Sequence, residues 1–134
     1  MTISGALATY LLSVSAVSDL LGDRLHPEVA ESLDEVRPLA TYHIEERRAE
    51  ESTDSIVPLM DVSFRVTIAS DDYDEAFEVA HALAAALEFF KGIMGGASGL
   101  RVEFCALDDI SGDYAGEFNA YVAIANFSLQ YIPQ

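Results

Sequence analysis

Residues 59–91 read LMDVSFRVTIASDDYDEAFEVAHALAAALEFFK, and the fold class follows from this stretch. From Leu59 to Ala69, the apolar Val62, Phe64, Val66 and Ile68 alternate with Asp61, Ser63, Arg65 and Thr67. A period of two predicts a strand with one face buried and one wet. Ser70-Asp71-Asp72 then supplies cap chemistry for a helix. Tyr73, Ala76, Phe77, Ala80, Leu83, Ala84, Leu87 and Phe90 form one apolar stripe reaching about Lys91. Asp74, Glu75 and Glu78 sit in its first turns, where the helix dipole favours negative charge. A one-faced strand feeding a one-faced helix predicts an α+β domain: a mostly antiparallel sheet with helices packed on one face.

Upstream, residues 3–21 predict a helix, with Leu7, Tyr10, Leu11, Val14, Val17 and Leu21 at spacings of three and four. Ser4 and Ser15 are both candidate N-caps, so one kinked helix and two short ones are both open; Gly22 marks the end. Arg24-Leu25-His26 reads as a short strand stopped by Pro27, residues 27–38 as an acidic loop, and Leu39–Glu46 as a strand. Arg47–Pro58 is polar and aperiodic. Downstream, Gly92, Gly95, Gly96 and Gly99 read as a flexible link, and Leu100–Leu107 as a strand with Val102, Phe104 and Ala106 on one face. Asp108–Gly116 carries turn residues, including Ser111-Gly112-Asp113. Phe118–Tyr131 reads as a last strand whose apolar parity changes, from Val122 and Ile124 to Phe127, Leu129 and Tyr131, which predicts a bulge or a strand that leaves one surface for another. The expected order is α-β-β-β-α-β-β in one domain spanning residues 1–134.

The chain carries 7 basic and 23 acidic residues, a net charge of −16. Of the bases, Arg24, Arg37, Arg47, Arg48, Arg65, Lys91 and Arg101, just Arg47–Arg48 are adjacent. Nucleic-acid binders need a concentrated cationic face, and anionic membranes attract one; this chain is expected to bind neither. The acidity fits an electronegative surface or channel, or a high-salt habitat. Cys105 is the sole cysteine, so no internal disulfide is expected. The apolar start lacks the positive n-region of a secretory signal, its first base being Arg24. No window reaches the length of a membrane span.

The sequence offers no catalytic centre, cofactor motif or metal motif. His26, His43 and His81 lack ligand spacing, and Cys105 lacks a C-x-x-C partner. Asp71, Asp72, Asp74 and Glu75 read as a helix cap, and Asp108, Asp109 and Asp113 as turn chemistry, since neither group fits a calcium loop. The glycines of 92–99 follow a helix instead of opening one, the reverse of a phosphate cradle. Surfaces remain. Arg47, Arg48, Glu50, Glu51 and Ile56 in the polar stretch, and Tyr121, Phe127 and Tyr131 in the last strand, are the candidate interface residues for an oligomer or partner. Each has a plainer reading: a solvated loop for the first group, core for the second.

Over nearly its whole length the chain resembles the tail terminator, or tail completion, proteins of long-tailed phages and related viruses. The resemblance rests on Leu12–His26 as the opening helix with its Gly-Asp-Arg exit, and on Pro38–Ile44 as a strand after a proline-containing loop. It continues through Asp61–Ile68 and Ser70–Ala76 as the central strand entering the long helix, and Tyr121–Ile132 as the closing strand. The acidity and the glycines of 92–99 depart from that pattern. The resemblance implies a structural virion protein, not an enzyme. It implies a cyclic homo-oligomer, commonly a hexamer, that caps the tail tube, ends its polymerisation and meets a neck or connector protein, with DNA passing through unread. It leaves open another neck component. Beside it stands a non-viral small-ligand module with an apolar pocket.

Overall fold

Strand β3 (Met60–Ser70) lies inside a six-stranded sheet of order β1-β2-β3-β6-β5-β4. A computed structural model describes residues 2–27, 37–48, 59–117 and 119–133. The other strands are β1 (Leu25–Pro27), β2 (Leu39–Arg48), β4 (Gly92–Met94), β5 (Leu100–Ala115) and β6 (Ala120–Ile132). All neighbours pair antiparallel except β1 and β2, which run parallel. The helices are α1 (Ile3–Ser13), α2 (Ser15–Leu21) and α3 (Tyr73–Leu87). The expected order therefore gains a second short helix and the three-residue β4.

The alternation of β3 sorts its side chains as the sequence requires: Val62, Phe64, Val66 and Ile68 are buried, and Ser63 and Arg65 are exposed. The buried side meets Ala125, Phe127 and Leu129 of β6, and Ala76, Val79, Ala80, Leu83 and Leu87 of α3. Tilted ring contacts link Tyr42 to Phe64 and Phe64 to Phe127, at 5.8 and 6.0 Å. Leu7 and Leu11 of α1 and Val17 and Leu21 of α2 complete the same core. Asp72 caps α3 by accepting from the Asp74 N–H, while Ser70 Oγ donates to Glu75 and accepts from the Asp72 N–H.

The two first helices are bent by 89° at Val14. Thr2, not Ser4, caps α1, and Val14 takes the N-cap position of α2 without a side-chain bond, so Ser15 starts that helix instead of capping it. Gly22 has a φ of 61° and its N–H reaches the Ser18 carbonyl, a conformation that a side chain would strain. No single described helix is long and apolar enough to cross a membrane.

Three local expectations are corrected. Residues 108–115 continue β5 instead of turning; turn residues are Gly116, Glu117 and Asn119. β6 runs alongside this whole segment, to the pair Ala115↔Ala120, so its polar residues are ladder positions on an exposed face. Of the two readings of the parity change in β6, the bulge is absent, since its eleven pairs with β3 run without a shift. The parity change arises because Ala120 and Val122 join a small cluster with Leu39 and Ala69 on the sheet's opposite side. The register shifts lie on β5, between Val102 and Phe104 and between Leu107 and Asp109. The extra residue at Glu103 flips the parity, so Val102 and Cys105 are buried and Phe104 points out. Finally, α3 stops at Leu87, ahead of the expected Lys91, and Phe90 packs edge-on against Tyr10 at 4.7 Å.

Candidate functional site

With the helices on one side, the other side of the sheet carries a polar lattice. Gln130 donates to Asp61 (2.6 Å), Ser128 to Asp108 (2.6 Å) and Asn126 to Asp109 (2.7 Å). Asp108 and Asp109 are thus cross-strand acceptors. An open cleft of about 600 Å³ lies on this side, its walls including Glu45, Arg47, Asp61, Phe104 and Gln130. Its carboxylate Asp61 is already engaged by Gln130 and, at 4.0 Å, by Arg47. The cleft is open, and Asp61 and Gln130 within it bond each other, unlike a deep apolar pocket with convergent donors.

The two ends of the sheet differ in charge and exposure. One end is the row Arg48, Met60, Tyr131, Val102 and Gly92, which are successive neighbours across five strands. Arg47, Arg48, Lys91 and Arg101, four of the seven cations, collect here and are exposed. Arg101 pairs with Glu103 at 2.8 Å. Phe89, at a positive φ of 65° and 84% exposed, follows α3 at this end, its N–H bound to the Cys105 carbonyl at 2.9 Å. Ile93, 53% exposed, faces Arg101 across the β4–β5 pair.

The opposite end carries tyrosines and acids. Tyr114 and Tyr121 are cross-strand partners with rings 5.0 Å apart, and Tyr73 at the start of α3 meets Tyr121 edge-on at 5.9 Å. All three are exposed. Phe77 stacks behind Tyr73 at 4.9 Å, and both lie across Gly112, where a Cβ would come within 2.6 Å of the Phe77 ring. Asp72, Asp74, Asp113 and Glu117 surround the group in sequence and are exposed. Arg37 ties this end together, donating to Asp71 (2.7 Å) and to the Asn119 carbonyl (3.1 Å).

The sequence-derived candidates separate on this frame. Arg47, Arg48 and Tyr131 come together at the cationic end, where the Tyr131 hydroxyl bonds Glu46. Tyr121 lies at the other end, and Phe127 is buried between them against Phe64. Glu50, Glu51 and Ile56 lie outside the described residues. The sequence reading missed Phe89, Tyr73 and Tyr114 as surface groups. Tyr73 belongs to the α3 stripe and Tyr114 falls in what read as a turn. A phenylalanine just past the helix, off the stripe, was the available signal for Phe89.

Two side chains are held in their protonated forms. Burial pushes the Cys105 thiol up to about 12, helped by the charges of Asp108 and Glu88, so almost no thiolate forms near neutrality. Burial also lifts Tyr131 to about 12, with its Glu46 bond adding to the effect. Among the described residues no group of three or more His, Cys, Asp or Glu is placed to hold a metal ion.

No curated protein sequence matches the chain. Among solved structures, a chain of the "Virion of native gene transfer agent (GTA) particle" superposes with a TM-score of 0.74 at 13% identity, covering 98% of this chain and 95% of that one. At that identity the likeness speaks to the fold. Residues 5–108 match the family described as "Tail completion protein gp17", a span running from α1 into β5. The chain therefore belongs to the tail completion protein gp17 family, as a structural protein of the virion tail.

Proposed function

We propose that the protein closes into a ring that caps the finished tail tube, ends its polymerisation and presents a surface to the capsid connector. Family membership carries this reading. The geometry supports it through two dissimilar exposed surfaces, the cationic end with Phe89 and Ile93 and the acidic tyrosine end. A closed ring needs heterologous contacts, in which two different patches of each subunit meet. Six subunits is the expected number. DNA passes through the hole, and a net charge of −16 per subunit opposes phosphate adhesion there.

Two measurements test the reading. Light scattering and negative-stain imaging of the purified chain should show a closed ring of six-fold symmetry. Added to polymerising tail tube protein, it should halt tube growth. A chain that stays monomeric beside tail tube protein and leaves tube length unchanged overturns the proposal.

A further inference from the structure

Phe89 is poorly explained by the stability of one subunit. A non-glycine residue in the left-handed region is disfavoured, and bulky residues there are outliers. At φ 65° and 84% exposed, Phe89 combines that backbone cost with a ring held in water. Its neighbours Lys91, Ile93 and Arg101 add one further apolar side chain and two of the seven cations. The other end of the sheet presents the complementary set: three exposed tyrosine rings bordered by Asp72, Asp74, Asp113 and Glu117. Cations favour the faces of such rings, and opposite charges fix which surface meets which. The two sets sit at opposite ends of the sheet, so one subunit cannot join them and a second copy can.

We propose that the Phe89 knob, with Lys91, Ile93 and Arg101, docks on the Tyr73–Tyr114–Tyr121 patch of a second copy of this chain, head to tail. This rests on the ring reading and names the two halves of its subunit contact. Such a contact is heterologous and continues until it closes. Aromatic anchors dominate the energetics of interfaces of this kind.

The test uses the full chain. Phe89→Gly removes the knob and relieves the left-handed strain. The subunit should therefore unfold no more easily than wild type, while the concentration needed for assembly rises about tenfold or more, the size of a hot-spot loss. Charge exchange checks the pairing. A K91E/R101E chain and a D113R/E117R chain should each fail to assemble alone, and mixing the two should restore rings. If wild type forms rings and all three variants assemble like it, this contact is wrong while the ring stands. Assembly lost in both charge variants and not restored on mixing also overturns the pairing. If wild type never forms rings, the ring reading itself falls and this contact falls with it.

Discussion

Gly112→Ala tests how closely α3 sits on the sheet. A Cβ built at Gly112 falls 2.6 and 2.7 Å from Cε2 and Cζ of Phe77 and 2.9 Å from the Tyr73 hydroxyl oxygen. Ordinary contacts need most of another ångström, so the Phe77 ring must slide or β5 must bow. The ring is held by Tyr73 at 4.9 Å and faces His81 at 6.5 Å, which limits its retreat. Overpacking of this kind costs about 1–3 kcal/mol. Against this, alanine restricts the unfolded chain more than glycine does, which returns about 0.4–1 kcal/mol. Because Phe77 is half-buried and has some room to move, the lower half of the overpacking range applies, for a net loss of about 1 kcal/mol. For a domain of this size that is a fall in Tm of about 3–6 °C. The assay is thermal and urea unfolding followed by circular dichroism and tyrosine emission, the chain having six tyrosines and no tryptophan. Both proteins must be compared at one concentration, since assembly raises apparent stability. On a Phe77→Ala background the same substitution should be neutral or stabilising, a coupling of about 1 kcal/mol. A Gly112→Ala protein as stable as wild type, or equal costs on both backgrounds, would falsify the packing argument.

Phe127→Ala should destabilise the folded chain by about 3–5 kcal/mol in urea titrations, because Phe127 is buried against Phe64; an effect confined to assembly would contradict this. Arg47→Ala should change subunit stability by less than about 0.5 kcal/mol, its pair with Asp61 being long at 4.0 Å and the arginine 85% exposed. Alkali should weaken the fold across a defined interval. Cys105 and Tyr131 are raised from 9.0 and 10.0 to about 12, so both favour the protonated form in the folded state. Their stabilisation is complete below pH 9 and is lost as pH rises towards 12, and Cys105→Ala should flatten the lower part of that decline. At neutral pH native Cys105 should resist alkylation until denaturant is added, and rapid labelling of the native protein would contradict its burial.

The strand–helix stretch at the centre of the chain was legible in sequence because its two periods, two and then three to four, are strong and adjacent. β3 and α3 emerge almost as read, including the cap at Asp72. The N-terminal bend was legible only as two open choices, because serines stood at more than one cap position. β5 was misread for a physical reason: an edge-side strand with both faces partly wet keeps Asp, Ser and Gly, the residues that also make turns. Its partner β6 supplies the missing order, and no local pattern reveals a partner. The bulge at Glu103 inverted the reading of Phe104 and Cys105, since one inserted residue exchanges faces. The interaction surfaces were the least legible. Phe89 and the tyrosines are ordinary letters until the sheet places them at opposite ends.

The position of β6 has a consequence for how the molecule is made. It follows both β3 and β5 in the chain, yet it lies between them and pairs with both along nearly its whole length. Until β6 leaves the ribosome, β3 and β5 have no common neighbour and the sheet is in two pieces. Native folding must therefore wait for β6 to be made, with the β6-facing edge of β3 unpaired in the meantime. A nascent chain in that state is exposed to aggregation and to chaperones, and a chain ending before β6 should be cleared instead of incorporated. Subunits available for assembly are thus limited to those whose synthesis has passed β6.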